Sequence, residues 1–122
     1  MKKILITDDS ATMRKMVMAA LRILPDISFL EASNGLEALE LIAIHRPDLV
    51  ILDINMPDMN GMDVLRFIRN HQIFFKMPVI MLTTRSDDGI KSSALEAGAT
   101  IYLTKPFQPQ KLKEVVAQQL NH

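Results

Sequence analysis

Five short apolar runs punctuate the chain, and each is followed by a polar break and then by apolar residues at helical spacing. The runs are Ile4-Leu5-Ile6, residues 27–32, Leu49-Val50-Ile51-Leu52, Val79-Ile80-Met81-Leu82 and Ile101-Tyr102-Leu103. The third and fourth are continuously apolar, which predicts strands buried on both faces of a sheet. The second is more mixed and suits a sheet edge. After the first run, Ser10 is a good N-cap. Met13, Met16, Val17, Ala20, Leu21 and Leu24 then form one apolar stripe, which Pro25-Asp26 stops. Asn34 and Glu37 stand at capping-box spacing, ahead of Leu36, Leu39, Ile42 and Ala43, and that helix runs until Pro47. After Leu52 the chain turns through Pro57 and Gly61. A helix then opens near Asp63, with Met62, Leu65 and Ile68 inward. Pro78 introduces the fourth strand. Ser86 can cap a helix through Ile90, Ala94 and Ala97, with Gly98 at the position that ends it. A last helix starts near Pro109, favourable in a first turn, and buries Leu112, Val115, Val116 and Leu120.

Strict alternation of strand and helix predicts an α/β fold: a doubly wound parallel sheet with right-handed crossovers and helices on both faces. The 122 residues fit a single domain, 1–122, without linker, repeat or low-complexity tract. Lysine plus arginine and aspartate plus glutamate number 14 each, so no whole-chain field favours nucleic acid or an anionic membrane surface. With no cysteine, disulfides, thiolate catalysis and Cys-type zinc sites are excluded. The apolar start is interrupted at Asp8 and Asp9, unlike a signal peptide, and no run approaches a membrane span, so a cytoplasmic location is expected.

Chemistry concentrates where the strands end. The first strand leads into Asp8 and Asp9, the third into Asp53, the fourth into Thr83 and the fifth into Lys105. Singly, each has an ordinary reading. The acids suit helix N-termini or turns, Thr83 suits a strand end, and Lys105 suits a solvated surface. Together they fall on the carboxyl edge of one parallel sheet, where such sheets bind ligands. Converging carboxylates suit a hard divalent cation that also keeps waters and a phosphate oxygen. An ammonium and a hydroxyl beside them complete an inventory for phosphoryl transfer.

These residues carry a family resemblance over essentially the whole chain. Thr7-Asp8-Asp9-Ser10 with Thr12-Met13-Arg14 and Asp53-Ile54-Asn55-Met56-Pro57 through Met59 and Gly61 resemble the receiver domain of two-component response regulators. So do Pro78-Val79 with Thr83, Ala97-Gly98-Ala99, and Tyr102 with Lys105-Pro106-Phe107. Within that family the chain looks most like the stand-alone, CheY-like chemotaxis regulators. The resemblance implies a flavodoxin-like (βα)5 fold with strand order 2-1-3-4-5. It implies that Asp53 is the nucleophile, accepting a phosphoryl group from a histidine kinase or phosphotransfer protein. Magnesium, with manganese as an alternative, would be bound by Asp9, Asp53 and the backbone carbonyl of Asn55, and by Asp8 through water. Lys105 would pair with the phosphoryl group. Thr83 would turn towards it and Tyr102 would move from outward to inward, remodelling the surface of the fourth helix, fifth strand and fifth helix where a target protein docks. Asn55 and Arg85 occupy positions that help set how fast the acyl phosphate hydrolyses, with a phosphatase as a further partner. The best-known chemotaxis member carries Glu at the position of Arg85, so that lifetime does not transfer.

Such a chain catalyses only its own phosphorylation and dephosphorylation and signals by docking. It stands alone as a chemotaxis-type regulator, serves as a phosphorelay intermediate, or is one part of a larger regulator with a DNA-binding or enzymatic output. An aspartyl-phosphate phosphatase would need a second acid-base carboxylate where Asn55 stands, and usually a cap domain. A flavin module would need a phosphate-cradling loop in place of Asp8-Asp9. The remaining distinctive residues have plainer readings. His45 and His71 suit helix ends, and His122 lies away from the strand ends. Met13, Met16, Met62 and Met81 suit core filling, whereas Met18 suits an exposed surface. Phe74-Phe75 suits a lid on the core, and Lys111 and Lys113 a solvated helix face.

Overall fold

The structure is a computed structural model, described here for residues 1–121. His122 lies outside the described residues. Five strands, β1 (Lys2–Thr7), β2 (Ile27–Ala32), β3 (Leu49–Leu52), β4 (Val79–Thr83) and β5 (Ile101–Thr104), alternate with five helices. The helices are α1 (Ala11–Leu21), α2 (Gly35–His45), α3 (Gly61–Arg69), α4 (Asp88–Glu96) and α5 (Pro109–Leu120). All pairings are parallel and the order is β2-β1-β3-β4-β5, as expected.

The sheet divides the core into two layers, because successive side chains on a strand face opposite sides. Leu5, Val50, Leu52, Val79 and Met81 join α2, α3 and α4 on one face. Ile4, Ile6, Leu49, Ile51, Ile80 and Leu82 join α1 and α5 on the other. β3 and β4 are buried throughout, whereas only Ala32 of edge strand β2 is fully buried.

Helix starts follow the expected chemistry, with shifts at α3 and α4. Ser10 Oγ accepts from Met13 N, and Asn34 Oδ1 accepts from Glu37 N. The Glu37 carboxylate reaches back to the amide and hydroxyl of Ser33 rather than to Asn34, and these bonds hold it below the usual carboxylate range. Asn60 caps α3 through Asp63 N, and the helix starts at Gly61, two residues before the expected opening. α4 is capped by Asp87, not Ser86: the Asp87 carboxylate accepts from Ile90 N and takes the cap one residue further on. α5 starts at Pro109, as predicted, without a side-chain cap.

Several inward assignments change. Met16, Leu36 and Ala43 are exposed, while Met18 is half-buried against the α1–α5 layer. Phe74 closes the core as a lid, but Phe75 is exposed, with Lys76 Nζ over its ring. His45 ends α2, and His71 follows α3 and stacks on Phe74 at 4.4 Å between ring centroids.

Candidate functional site

Parallel pairing continues one step past the strands, and that step assembles the site. Asp53 N donates to Thr7 O at 3.0 Å, Asp8 N to Ala32 O at 3.1 Å, and Lys105 N to Thr83 O at 2.8 Å. The residue after each strand is therefore held in the sheet's register although it lies beyond the apolar run. The carboxylates of Asp8, Asp9 and Asp53 consequently offer oxygens all within 4.8 Å of one another. Asp8 and Asp53 are 3% and 5% exposed, whereas Asp9 opens to solvent.

Lys105 crosses from the β5 end into this group. Its Nζ donates to Asp8 Oδ2 at 2.6 Å and to Asp53 Oδ2 at 3.1 Å, with 9% of its side chain exposed. Burial alone lowers an ammonium's pKa. Here the bond to Asp8 and the charge of Asp53 outweigh it and hold Lys105 above its ordinary value. The solvated-surface reading of Lys105 is thereby excluded. The other carboxylate oxygens are steadied by local turns: Asp8 Oδ1 accepts from Ser10 N at 2.9 Å, and Asp53 Oδ1 from Asn55 N at 3.3 Å. Three carboxylates thus face one ammonium. An oxygen-rich, net negative cluster that cannot neutralise itself fits a hard divalent cation.

Thr83 is fully buried, and its Oγ1 accepts from Arg85 N at 3.3 Å. Tyr102 is 8% exposed and its hydroxyl donates to Arg85 O at 2.6 Å, so the ring already lies inward. Burial, with the charges of Asp87 and Asp53, pushes the phenol above its ordinary value, while Arg85 pulls the other way. Thr83 and Tyr102 therefore meet at one backbone segment, Arg85, whose side chain points out to Asp87 at 3.5 Å. Asn55 is exposed beside the acids.

Two positioning features escaped the sequence reading. The sequence pattern places Gly61 in a turn; in the fold a Cβ there would lie 2.1 Å from Asp53 O, because α3 starts against the backbone of Asp53 itself. Its amide donates to Ile54 O at 2.9 Å. Arg14, one residue of the Thr12-Met13-Arg14 motif, donates to the Asp8 backbone carbonyl. The Lys105–Pro106 peptide bond is cis. Neither His45 nor His71 belongs to the cluster.

The parallel order, the acidic triad and the bridging lysine define a class, and comparison with known proteins agrees. The profile of the response regulator receiver domain matches residues 4–117, and the chain belongs to that family. It is 41% identical to chemotaxis protein CheY1 of Helicobacter pylori over 113 residues, 92% of this chain and 91% of that one. Among solved structures, a putative response regulator from Chloroflexus aurantiacus superposes with a TM-score of 0.92 at 35% identity, covering 99% and 98% of the two chains. The Mn(2+)-bound form of response regulator Rcp1 superposes with a TM-score of 0.84 at 27% identity, covering 97% and 91%. The chain is thus a receiver domain of two-component signalling, with CheY proteins among its relatives. Among the described residues no helix is long and apolar enough to cross a membrane.

Proposed function

We propose that the chain is a phosphorylation-controlled binding switch whose phosphoacceptor is Asp53. The observation that carries this reading is the buried pair Asp8 and Asp53 sharing Lys105 at the sheet's carboxyl edge, with Asp9 beside them. A carboxylate oxygen of Asp53 attacks the phosphorus of a phosphohistidine on a kinase or phosphotransfer protein. The P–N bond breaks as the P–O bond forms, and the imidazole leaves with its electron pair. Lys105 stabilises charge on the transferred group from a site organised in advance. Asp8, Asp9, Asp53 and the carbonyl of Asn55 are the groups that would hold Mg2+ or Mn2+; Rcp1, a response regulator of similar fold, has a Mn(2+)-bound form, which supports a divalent cation of this class. When bound, such a cation neutralises phosphoryl oxygens.

The new group adds charge and strong acceptors next to the buried Thr83 hydroxyl. Thr83 turning towards it gives up the Arg85 amide, and that amide lies on the segment whose carbonyl anchors Tyr102. This shared segment transmits phosphorylation to α4, β5 and α5, where a target protein docks. Tyr102 is already inward, so the shift acts mainly on Thr83 and the loop that follows it. Asn55 and Arg85 flank the phosphoryl position and tune its hydrolysis, alone or with a phosphatase. The chain catalyses only its own phosphoryl turnover, 1–122 acts as a single receiver unit in the cytoplasm, and the 41% identity to CheY1 favours a chemotaxis-type, stand-alone output.

Intact mass after incubation with acetyl phosphate tests this. Wild type should gain one phosphoryl group only with Mg2+, and Asp53→Asn should gain none. Labelling of that variant at the normal rate would move the nucleophile elsewhere. The chain has one tyrosine and no tryptophan, so its tyrosine emission reports Tyr102 alone and should change in step with the mass.

A further inference from the structure

We propose that Arg14, oriented by Glu31, is a positioning residue that sets the Asp8–Asp9 pair for a divalent cation; this rests on the cation reading above. Arg14 lies in the first turns of α1, and its side chain leans back over the helix N-terminus, as long helical side chains do. Its Nη1 donates to Asp8 O at 2.7 Å, and its Nε donates to Glu31 Oε1 at 2.9 Å. The Arg14 side chain is only 16% exposed. Glu31 belongs to β2, directly across from Ile6 of β1, so one guanidinium ties a helix, the acidic loop and the edge strand together.

The target of this latch is the Asp8–Asp9 peptide, not a carboxylate. Asp8's carboxylate has its own restraints, Ser10 N on one oxygen and Lys105 on the other. The Asp9 carboxylate is exposed and makes no hydrogen bond or ion pair among the described residues. Its direction therefore depends on the peptide plane before it, and the carbonyl of that plane is what Arg14 grips. Release of the latch frees Asp9 and leaves Asp8 and Asp53 in place.

Glu31 has a second effect. A bare guanidinium beside three carboxylates would repel an incoming cation, and pairing with Glu31 offsets that charge where it arises. The two possible actions of Arg14 on cation affinity thus have opposite signs. Positioning raises affinity, and field repulsion lowers it.

Calorimetric titration of MgCl2 into the unphosphorylated full chain separates them, with unfolding in EDTA measured in parallel. Arg14→Met should weaken Mg2+ binding by about tenfold, the usual scale for a residue that orients metal ligands. Arg14→Lys keeps the charge but cannot make both bonds, so it should fall between wild type and Arg14→Met. It also covers the case in which Arg14→Met does not fold. Lower stability in EDTA with unchanged Mg2+ affinity would reduce Arg14 to a structural staple and overturn the proposal. Tighter binding in Arg14→Met would overturn it in favour of repulsion. Normal Mg2+ binding by wild type with either result isolates the failure to the latch, whereas a wild type that binds no Mg2+ removes the cation reading and the latch together.

Discussion

Gly61 and Thr7 stand on either side of the chemistry without taking part in it, and each is exposed to one decisive local force. At Gly61 the force is steric: with only 2.1 Å available to a Cβ, an alanine must push Asp53's carbonyl or the start of α3 aside. Gly61→Ala should cost about 3 kcal/mol in urea unfolding, the upper range for overpacking. It should also slow acetyl-phosphate labelling of Asp53 by at least about tenfold, since small misplacements of reacting groups are costly. Normal labelling would show that Asp53 tolerates the shift. Thr7 is the reverse case. Its Oγ1 is buried, with no hydrogen-bond partner among the described residues. Thr7→Val keeps the shape and removes the orphan hydroxyl, so it should raise unfolding free energy by about 1 kcal/mol. A loss of stability would reveal a partner for that hydroxyl in solution. Asp53, Thr83 and Lys105 were legible in the sequence because a polar residue ending an apolar run marks a strand end. Gly61's contact was not, because it forms between segments that only the fold brings together.

Among the helices, α2 and α4 show where one-dimensional patterns mislead. In α2 the apolar pattern selects Leu36, Leu39, Ile42 and Ala43; Ile42 is buried and Leu39 packs against the core, but Leu36 and Ala43 face out and Gly35 and Ala38 face in. The helix starts so close to the loop after β3 that a Cβ on Gly35 would lie 2.6 Å from Met59 O, so small residues face in and Leu36 faces out. In α4, Ser86 and Asp87 are both competent caps, and adjacency in sequence cannot choose between them. The end of α4 was legible. Gly98 has φ +105°, its amide donates to Leu95 O, and Ala99 N donates to Ala94 O, the paired bonds of a Schellman ending. Arg69 adds what the pattern does not contain. Its guanidinium donates to Gly98 O, Phe75 O, Met77 O and Thr100 Oγ1, joining the loops that precede β4 and β5, and burial lowers its pKa. Gly98→Ala meets both the positive φ and Arg69 Nε at 2.9 Å. It should destabilise by more than about 1 kcal/mol. Hydrogen exchange should quicken at residues 98 and 99 and leave α5 unchanged, and uniform quickening would mean that the α4 ending does not open locally.

For the molecule as a whole, the acidic edge links stability to pH through Lys105. Its folded pKa lies above its ordinary value of 10.5, so the folded chain holds that proton more tightly than the unfolded chain. The contribution is fully present below pH 10.5 and is lost as pH rises through the higher folded value. The difference in unfolding free energy between wild type and Lys105→Gln should therefore be constant from pH 7 to 9 and shrink in stronger alkali. A difference that shrinks below pH 9 would place the Lys105 proton in weaker hands than Asp8 and Asp53.

The sequence by itself determined the number and kind of elements, the parallel sheet and the residues at its carboxyl edge. Those follow from local periodicity and from the polarity step at each strand end. Tertiary structure alone decided that one ammonium lies between Asp8 and Asp53, that α3 starts against the Asp53 backbone, and that Arg14 reaches back to the acidic loop. Each of these joins segments distant along the chain or depends on the angle at which a helix leaves the sheet. Burial then makes the separations matter, because charges withdrawn from water interact more strongly at a given distance.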